Sequence, residues 1–72
     1  MLMFPLVMAQ VGEESTIMKI NGQDKTRQHL AELGFVVGEK VTVISKLGGN
    51  MILSVKNSRI AVDEDMLKRI MV

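Results

Sequence analysis

A chain of 72 residues without a single cysteine has to hold itself together by packing alone. At this length, folding buries only about 60% of the surface that the unfolded chain exposes, so there is room for one hydrophobic core and no cleft between domains. Neither a disulfide nor a thiolate metal site is available to reinforce that core. We therefore expect residues 1–72 to form one small domain stabilised by close packing.

The apolar content is high for so short a chain. Hydrophobic residues make up 47% of the sequence, and the mean hydropathy is +0.24. Because a small domain cannot bury all of this surface, apolar side chains are expected on its outside, where they favour an interface with another protein. The alternative interpretation is a core rich in short aliphatic side chains.

The charges are too evenly balanced for a nucleic-acid-binding protein. Nine Lys and Arg residues stand against eight Asp and Glu residues, and the chain has two Phe but no Trp or Tyr. Phosphate recognition favours a basic stripe, and single-stranded nucleic acids favour stacking aromatic side chains. We therefore expect no nucleic-acid partner.

The uncharged first eleven residues resemble a targeting segment only weakly. No Lys or Arg precedes the apolar run, and Pro5 interrupts it. The run is also far too short to span a bilayer. It is predicted to be a packed N-terminal arm, with a cytoplasmic location and no direct membrane insertion.

Hydrophobic alternation and turn residues predict a mainly β fold. Tight turns at Gly48-Gly49-Asn50 and Asn57-Ser58 separate some of the runs, and Asp63 can cap one helical turn through Met66 and Leu67. Ile17 and Ile20 fall on opposite faces of the first run, which indicates a bulge or strong twist there. The five predicted strands are 15–20, 41–46, 51–56, 59–62 and 70–72.

One short helix is predicted over 25–33. Asp24 is a candidate N-cap, Leu30 and Leu33 lie one turn apart, and Gly34 can adopt the left-handed conformation that closes a helix. Five short strands are too few for a sandwich but enough for a small, strongly bent barrel, which would also hide its strand edges.

No combination of residues predicts catalysis or a metal site. His29 is the only histidine and has no partner at metal-ligand spacing, and the serines have no other base. The seven methionines are scattered, which favours adaptable packing over copper binding. We therefore expect no enzyme activity and no cofactor, while a ligand borrowed from a second chain stays open.

The segment from Leu30 to Val41 carries a specific motif. Leu30-x-x-Leu33-Gly34, then apolar Phe35, then Gly38 and Val41 resembles the helix-exit motif of FeoA-type ferrous iron transport proteins, and the resemblance extends over most of the chain. It implies an SH3-like barrel of about five strands with one short helix. It also implies a cytosolic accessory protein of bacterial ferrous iron uptake that docks on the membrane permease FeoB, at its G-protein domain or cytosolic face, and modulates transport. The family's link to transition metals is then one of pathway and not of ligation.

Two other hypotheses remain beside this one. A similar barrel forms the C-terminal regulatory domain of iron-dependent repressors, and small barrels of the translation type bind RNA. For the accessory hypothesis, we predict a partner-binding surface at the helix and its exit, where apolar side chains lie beside cations. Self-association is left open. The predicted partner-binding residues are Arg27, Phe35, Val36, Val37 and Lys46.

Overall fold

The computed structural model describes residues 2–72 as a mainly β fold with six strands. The prediction of a mainly β chain with one short helix is confirmed. In chain order the elements are a 3-10 turn (Leu6–Met8), β1 (Glu14–Thr16), β2 (Lys19–Ile20), α1 (Asp24–Glu32), β3 (Lys40–Leu47), β4 (Asn50–Val55), β5 (Ser58–Asp63), the single helical turn α2 (Glu64–Leu67) and β6 (Ile70–Met71).

The strands form two antiparallel sheets. The larger sheet has the order β1-β3-β4-β5, and the smaller one pairs β2 with β6. The predicted first strand is split because the chain changes sheets in its middle. Ile17 donates its N–H to the carbonyl of Glu39 beside the large sheet, and the next residue, Met18, donates to Met71 in the small one. This change of sheet explains why Ile17 and Ile20 do not follow one alternation.

A bulge does occur, but in β3. The register between β3 and β4 shifts between Val43 and Ser45, which leaves Ile44 as the extra residue. The bulge predicted as one option for the first strand is therefore found in the longest strand instead. Bulges bend a strand and increase its twist, and here the bend lies in the strand that pairs with both β1 and β4.

The N-terminal arm is packed, as predicted, and the structure places it against the C-terminus. Phe4 and Val72 exchange two backbone hydrogen bonds of 3.0 and 2.9 Å, and Pro5 forms a bridge to Met71. Leu6 and Ala9 are buried in the core. Met1 lies outside the described residues.

One apolar core joins both sheets, the arm and the two helices. Met51, Leu53 and Val55 are all buried on one face of β4, which confirms the predicted alternation. Deleting any of these side chains would leave a cavity in a core with few residues to spare. The other buried members are Leu6, Ala9, Ile17, Leu30, Phe35, Val41, Val43, Val62, Leu67, Ile70 and Val72.

Two short local features follow the sequence closely. Lys56 and Asn57 both have positive φ, of 49° and 65°, and they join the paired residues Val55 and Ser58 as the two-residue turn that suits a β-hairpin. This turn lies one residue before the predicted Asn57-Ser58, because Ser58 already pairs with Val55 as the first residue of β5. The side chain of Asp63 accepts hydrogen bonds from the N–H groups of Asp65 (2.7 Å) and Met66 (3.3 Å). The predicted cap of α2 is therefore confirmed.

The strand edges are not all hidden. Within residues 2–72, β5 has β4 as its only neighbour, so its other edge is open. The expectation of a barrel with hidden edges is wrong at this strand, because the chain turns into α2 directly after Asp63 and does not pair β5 with a further strand.

Of the helices in residues 2–72, none is long and apolar enough to cross a bilayer.

Candidate docking surface at the helix exit

The start of α1 differs by one residue from the prediction. Gln23 is the N-cap, with extended φ and ψ of −75° and 161°, and Asp24 is already inside the helix. The Asp24 carboxylate therefore makes no capping hydrogen bond, although negative charge in the first turn still favours the helix dipole. It instead lies 4.0 Å from Nη1 of Arg27, in an exposed pair that contributes little to stability.

The end of α1 is closed by two backbone hydrogen bonds. Phe35 donates its N–H to the carbonyl of Leu30 (2.9 Å), and Gly34 donates to Ala31 (3.0 Å), which together form a Schellman motif. Gly34 has a φ of +104°, as the motif requires of the residue that ends the helix. Leu30 and Phe35 are both fully buried in the same core cluster. The exit is therefore anchored from both sides.

A shallow groove of about 450 Å³ lies between α1 and the loop that follows it. On one wall are helix residues, among them Arg27 and Ala31, and on the other are Val36 and Val37 of the loop. Val37 is 64% exposed although its side chain is apolar. The groove can hold an apolar side chain of a partner beside an acidic one. Its full lining is Ile20, Asp24, Arg27, Gln28, Ala31, Phe35, Val36 and Val37.

The structure brings together three of the five predicted partner-binding residues. Arg27, Val36 and Val37 line the groove with accessible side chains. Phe35 is 0% exposed, so it cannot serve as an exposed anchor and is corrected to a core residue that supports the groove from below.

Lys46 lies elsewhere. It is at the far end of β3 from the helix exit, six residues beyond Lys40, which corresponds to roughly 20 Å along an extended strand. Its Nζ donates to the carbonyl of Val7 in the N-terminal arm at 3.3 Å.

Four residues of the groove lining are absent from the predicted surface, namely Ile20, Asp24, Gln28 and Ala31. Ile20 is half-buried at the end of β2, and Ala31 is exposed on α1. The spacing of Arg27 and Ala31, four residues apart, was the available signal, since residues at i and i+4 share a helix face.

The surplus of apolar side chains does reach the surface. Several exposed apolar side chains lie in the N-terminal arm or beside it. Phe4 of the arm pairs with Val72, and the register of β2 and β6 places Met18 next to Val72 as well. The exposed large hydrophobic residues are Leu2, Met3, Phe4, Met8, Val11, Met18, Val37 and Leu47.

A second groove, of about 390 Å³, is acidic. Asp63, Glu64 and Asp65 line it together with Lys68, whose Nζ lies 3.3 Å from Oδ1 of Asp65. Across the part of the chain that the structure describes, there is no group of three or more His, Cys, Asp or Glu side chains placed to hold a metal ion. His29 is exposed on α1.

Comparison with known proteins identifies the family. The FeoA domain matches residues 4–72, nearly the whole chain. The chain belongs to the FeoA family. A relative from Methanocaldococcus jannaschii bears the name Fe(2+) transport protein A. It is 37% identical over 70 residues, which cover 97% of this chain and 85% of the relative. The motif from Leu30 to Val41 thus pointed to the correct family.

Solved structures of FeoA proteins have the same fold. The crystal structure of an iron uptake regulatory protein (FeoA) superposes with a TM-score of 0.91 at 28% identity, and the match covers all of this chain and 96% of that protein. Stenotrophomonas maltophilia FeoA, solved with zinc and described as an SH3 domain protein, has a TM-score of 0.80 at 25% identity over 93% of this chain and 86% of that one. The predicted SH3-like fold is confirmed.

The same fold occurs in part of a larger regulator. A manganese-dependent transcriptional repressor matches with a TM-score of 0.88, but at 14% identity and over only 40% of the repressor. The match covers 97% of this FeoA chain, so the likeness concerns the whole domain. At this identity it shows a shared fold and nothing about function.

Proposed function

We propose that this FeoA protein is a non-enzymatic accessory of ferrous iron uptake that docks through the groove at the exit of α1. The partner is the FeoB-type permease, contacted at its G-protein domain or cytosolic face, and docking modulates transport. The protein then works in the cytoplasm, peripheral to the inner face of the membrane through its partner. The observation that carries the proposal is the exposed Val37 beside Arg27 in a groove whose walls are anchored in the core.

The rigidity of the groove supports docking. The Schellman motif and the burial of Leu30 and Phe35 hold the exit loop in one conformation, so little conformational entropy is lost when a partner binds. Arg27 has only an exposed pair with Asp24 at 4.0 Å, which an acidic group of the partner can replace at small cost. An apolar anchor next to an available guanidinium is the kind of site that dominates binding energy at protein interfaces.

The test is a binding measurement with the purified cytosolic domains of the permease. The double variant Arg27→Glu, Val37→Asp should weaken binding by at least about tenfold, which corresponds to the loss of about 1.4 kcal/mol of binding free energy. Leu47→Asp is the matched control, because Leu47 is also 64% exposed but lies at the far end of β3. Ferrous iron uptake by cells that carry each variant should fall in the same order.

The outcomes separate the proposal from its competitors. Equal binding by the double variant and by the Leu47→Asp control would show that the groove is not the docking surface. Retention of RNA at low salt would favour the RNA-binding hypothesis instead. A regulatory barrel module stays the second candidate, and copurification with a DNA-binding protein but not with the permease would favour it.

A further inference from the structure

The open edge of β5 carries an inference that the proposed function does not use. The direction of its backbone groups follows from one hydrogen bond, the N–H of Glu64 to the carbonyl of Gly49 at 2.9 Å. In an antiparallel strand each residue points both backbone groups to one side, and the next residue points them to the other. The backbone groups of Val62 and Ile60 therefore face β4, while those of Arg59, Ala61 and Asp63 face outward.

The outward groups are available for pairing. Among residues 2–72, no backbone partner is found for the N–H groups of Arg59, Ala61 and Asp63 or for the carbonyls of Arg59 and Ala61. The carbonyl of Asp63 is used differently, since Asp63 is the N-cap of α2 and an N-cap carbonyl accepts the first hydrogen bond of its helix. The side chains of all three residues are exposed.

The edge of β5 is basic at one end and acidic at the other. Lys56 and Arg59 make its beginning basic, whereas Asp63, Glu64 and Asp65 make its end acidic. Within the described chain, Arg59 has no ion pair, and the nearest acidic group of Lys56 is Glu39 at 4.0 Å. Two such edges attract each other when antiparallel and repel each other when parallel.

We propose that β5 is a self-association edge, at which two copies of this chain pair antiparallel about a two-fold axis at Ala61. In this register Ala61 exchanges two hydrogen bonds with Ala61 of the second copy. Each Asp63 N–H donates to the Arg59 carbonyl of the other copy, which makes four backbone hydrogen bonds in all. Arg59 of each copy then stands directly opposite Asp63 of the other.

This register is favoured over its neighbours. Only outward-facing residues can pair, so the alternatives are shifted by two residues and place Arg59 opposite Ala61, or Ala61 opposite Asp63. Either shift separates both opposite-charge pairs and shortens the ladder, and each such pair contributes roughly 0.2–1 kcal/mol. Since five paired residues bury much less than the roughly 1,200 Å² of a stable interface, the dimer is weak and forms at high protein concentration.

Disulfide trapping tests the register directly, because the chain has no cysteine of its own. Residues in a hydrogen-bonded antiparallel pair have Cα atoms about 5.5 Å apart, which suits a disulfide, so Ala61→Cys should crosslink to itself. Ser58→Cys is the matched control. Ser58 is also exposed, but the two Ser58 residues of the dimer would lie roughly 20 Å apart, at about 3.4 Å per residue.

Under mild oxidation, Ala61→Cys should form disulfide-linked dimers at least about ten times faster than Ser58→Cys. Two cysteines at position 58 are far apart in the proposed dimer and come together only in random collisions between molecules. Adding Arg59→Glu to Ala61→Cys should reduce the rate at least about tenfold, because the new carboxylate would face that of Asp63 in the second copy. Adding Lys25→Glu makes the same change of charge at an exposed position of α1 outside the groove and should leave the rate unaltered. Equal crosslinking by the two cysteine variants would overturn the proposal.

Sedimentation of cysteine-free protein gives an independent check. Ala61→Pro removes the outward N–H of Ala61 and leaves pairing with β4 intact, since proline is tolerated where its missing N–H faces solvent. Ala61→Thr keeps the N–H and suits a strand. At about millimolar concentration, Ala61→Thr should sediment as a monomer-dimer mixture and Ala61→Pro as a monomer. If Ala61→Thr is fully monomeric, β5 is not a self-association edge.

Discussion

Replacing Gly34 with alanine isolates the backbone conformation that ends α1. The φ of Gly34 is +104°, a value that L-residues with a side chain rarely adopt. A Cβ added at this position would lie 3.5 Å from Cγ1 of Val55, which is an ordinary van der Waals contact. Because there is space for the methyl group, the cost of Gly34→Ala is backbone strain and not a clash. Strain of this kind costs about 1–3 kcal/mol.

The magnitude converts into a measurable change of melting temperature. Unfolding entropies of about 2.1 cal/mol/K per residue give a chain of this length about 0.15 kcal/mol/K, so Gly34→Ala should lower the Tm by roughly 7–20 °C. Gly49→Ala is the matched control. Gly49 has no positive φ and nothing within 4 Å of an added Cβ, so this change should be neutral or should stabilise by about 0.4–1 kcal/mol.

Thermal and urea unfolding followed by circular dichroism measure both variants. If Gly34→Ala lowers the Tm no further than Gly49→Ala does, α1 can end without strain at a residue that has a side chain, and Gly34 is not required there. A large loss of Tm in both variants would also contradict the role of backbone strain at Gly34, since Gly49 has neither a positive φ nor neighbours that could account for one.

Two further predictions concern the core and the cap of α2. Phe35→Ala should lower the free energy of unfolding by about 3–5 kcal/mol, a large part of the roughly 4–11 kcal/mol expected for a domain of this length, as measured by urea denaturation. Unaltered stability would show that Phe35 is not a core residue. Asp63→Ala should cost about 0.5–2 kcal/mol through the loss of the two capping hydrogen bonds, whereas Asp63→Asn should retain most of the stability. If Asp63→Ala and Asp63→Asn lower the Tm equally, the stabilisation comes from the negative charge of Asp63 and not from its capping hydrogen bonds.

Features encoded within a few consecutive residues were predictable from the sequence. The exit of α1 depends on Leu30, Gly34 and Phe35, and their hydrogen bonds span six residues. The cap by Asp63 spans four residues, and the turn at Asn57 spans two. In each case the chemistry that determines the conformation lies inside the segment itself. The local errors are shifts of a single residue: the cap of α1 is Gln23 and not Asp24, and the turn after β4 is Lys56-Asn57 and not Asn57-Ser58.

Features that depend on distant pairing were not predictable in this way. The break between Ile17 and Met18 arises because two different sheets accept their N–H groups, and the second sheet is completed only by Met71. The bulge at Ile44 is set by the pairing of β3 with β4, and the alternation of β-branched residues there fits either face. Lys46 was grouped with the helix exit because both carried plausible contact residues, but the length of β3 separates them.

The loop after α1 lies beside the turn that precedes β5. Lys56 lies 4.0 Å from Glu39, which follows the exit loop, and Gly34 sits against the side chains of Val55 and Lys56. In the proposed dimer, the antiparallel register brings the acidic start of α2 of the second copy toward this same lysine. A permease domain that covers the helix exit and extends to Lys56 would occupy that space. One lysine cannot face both, so a partner that reached Lys56 from the helix exit would exclude self-association at β5.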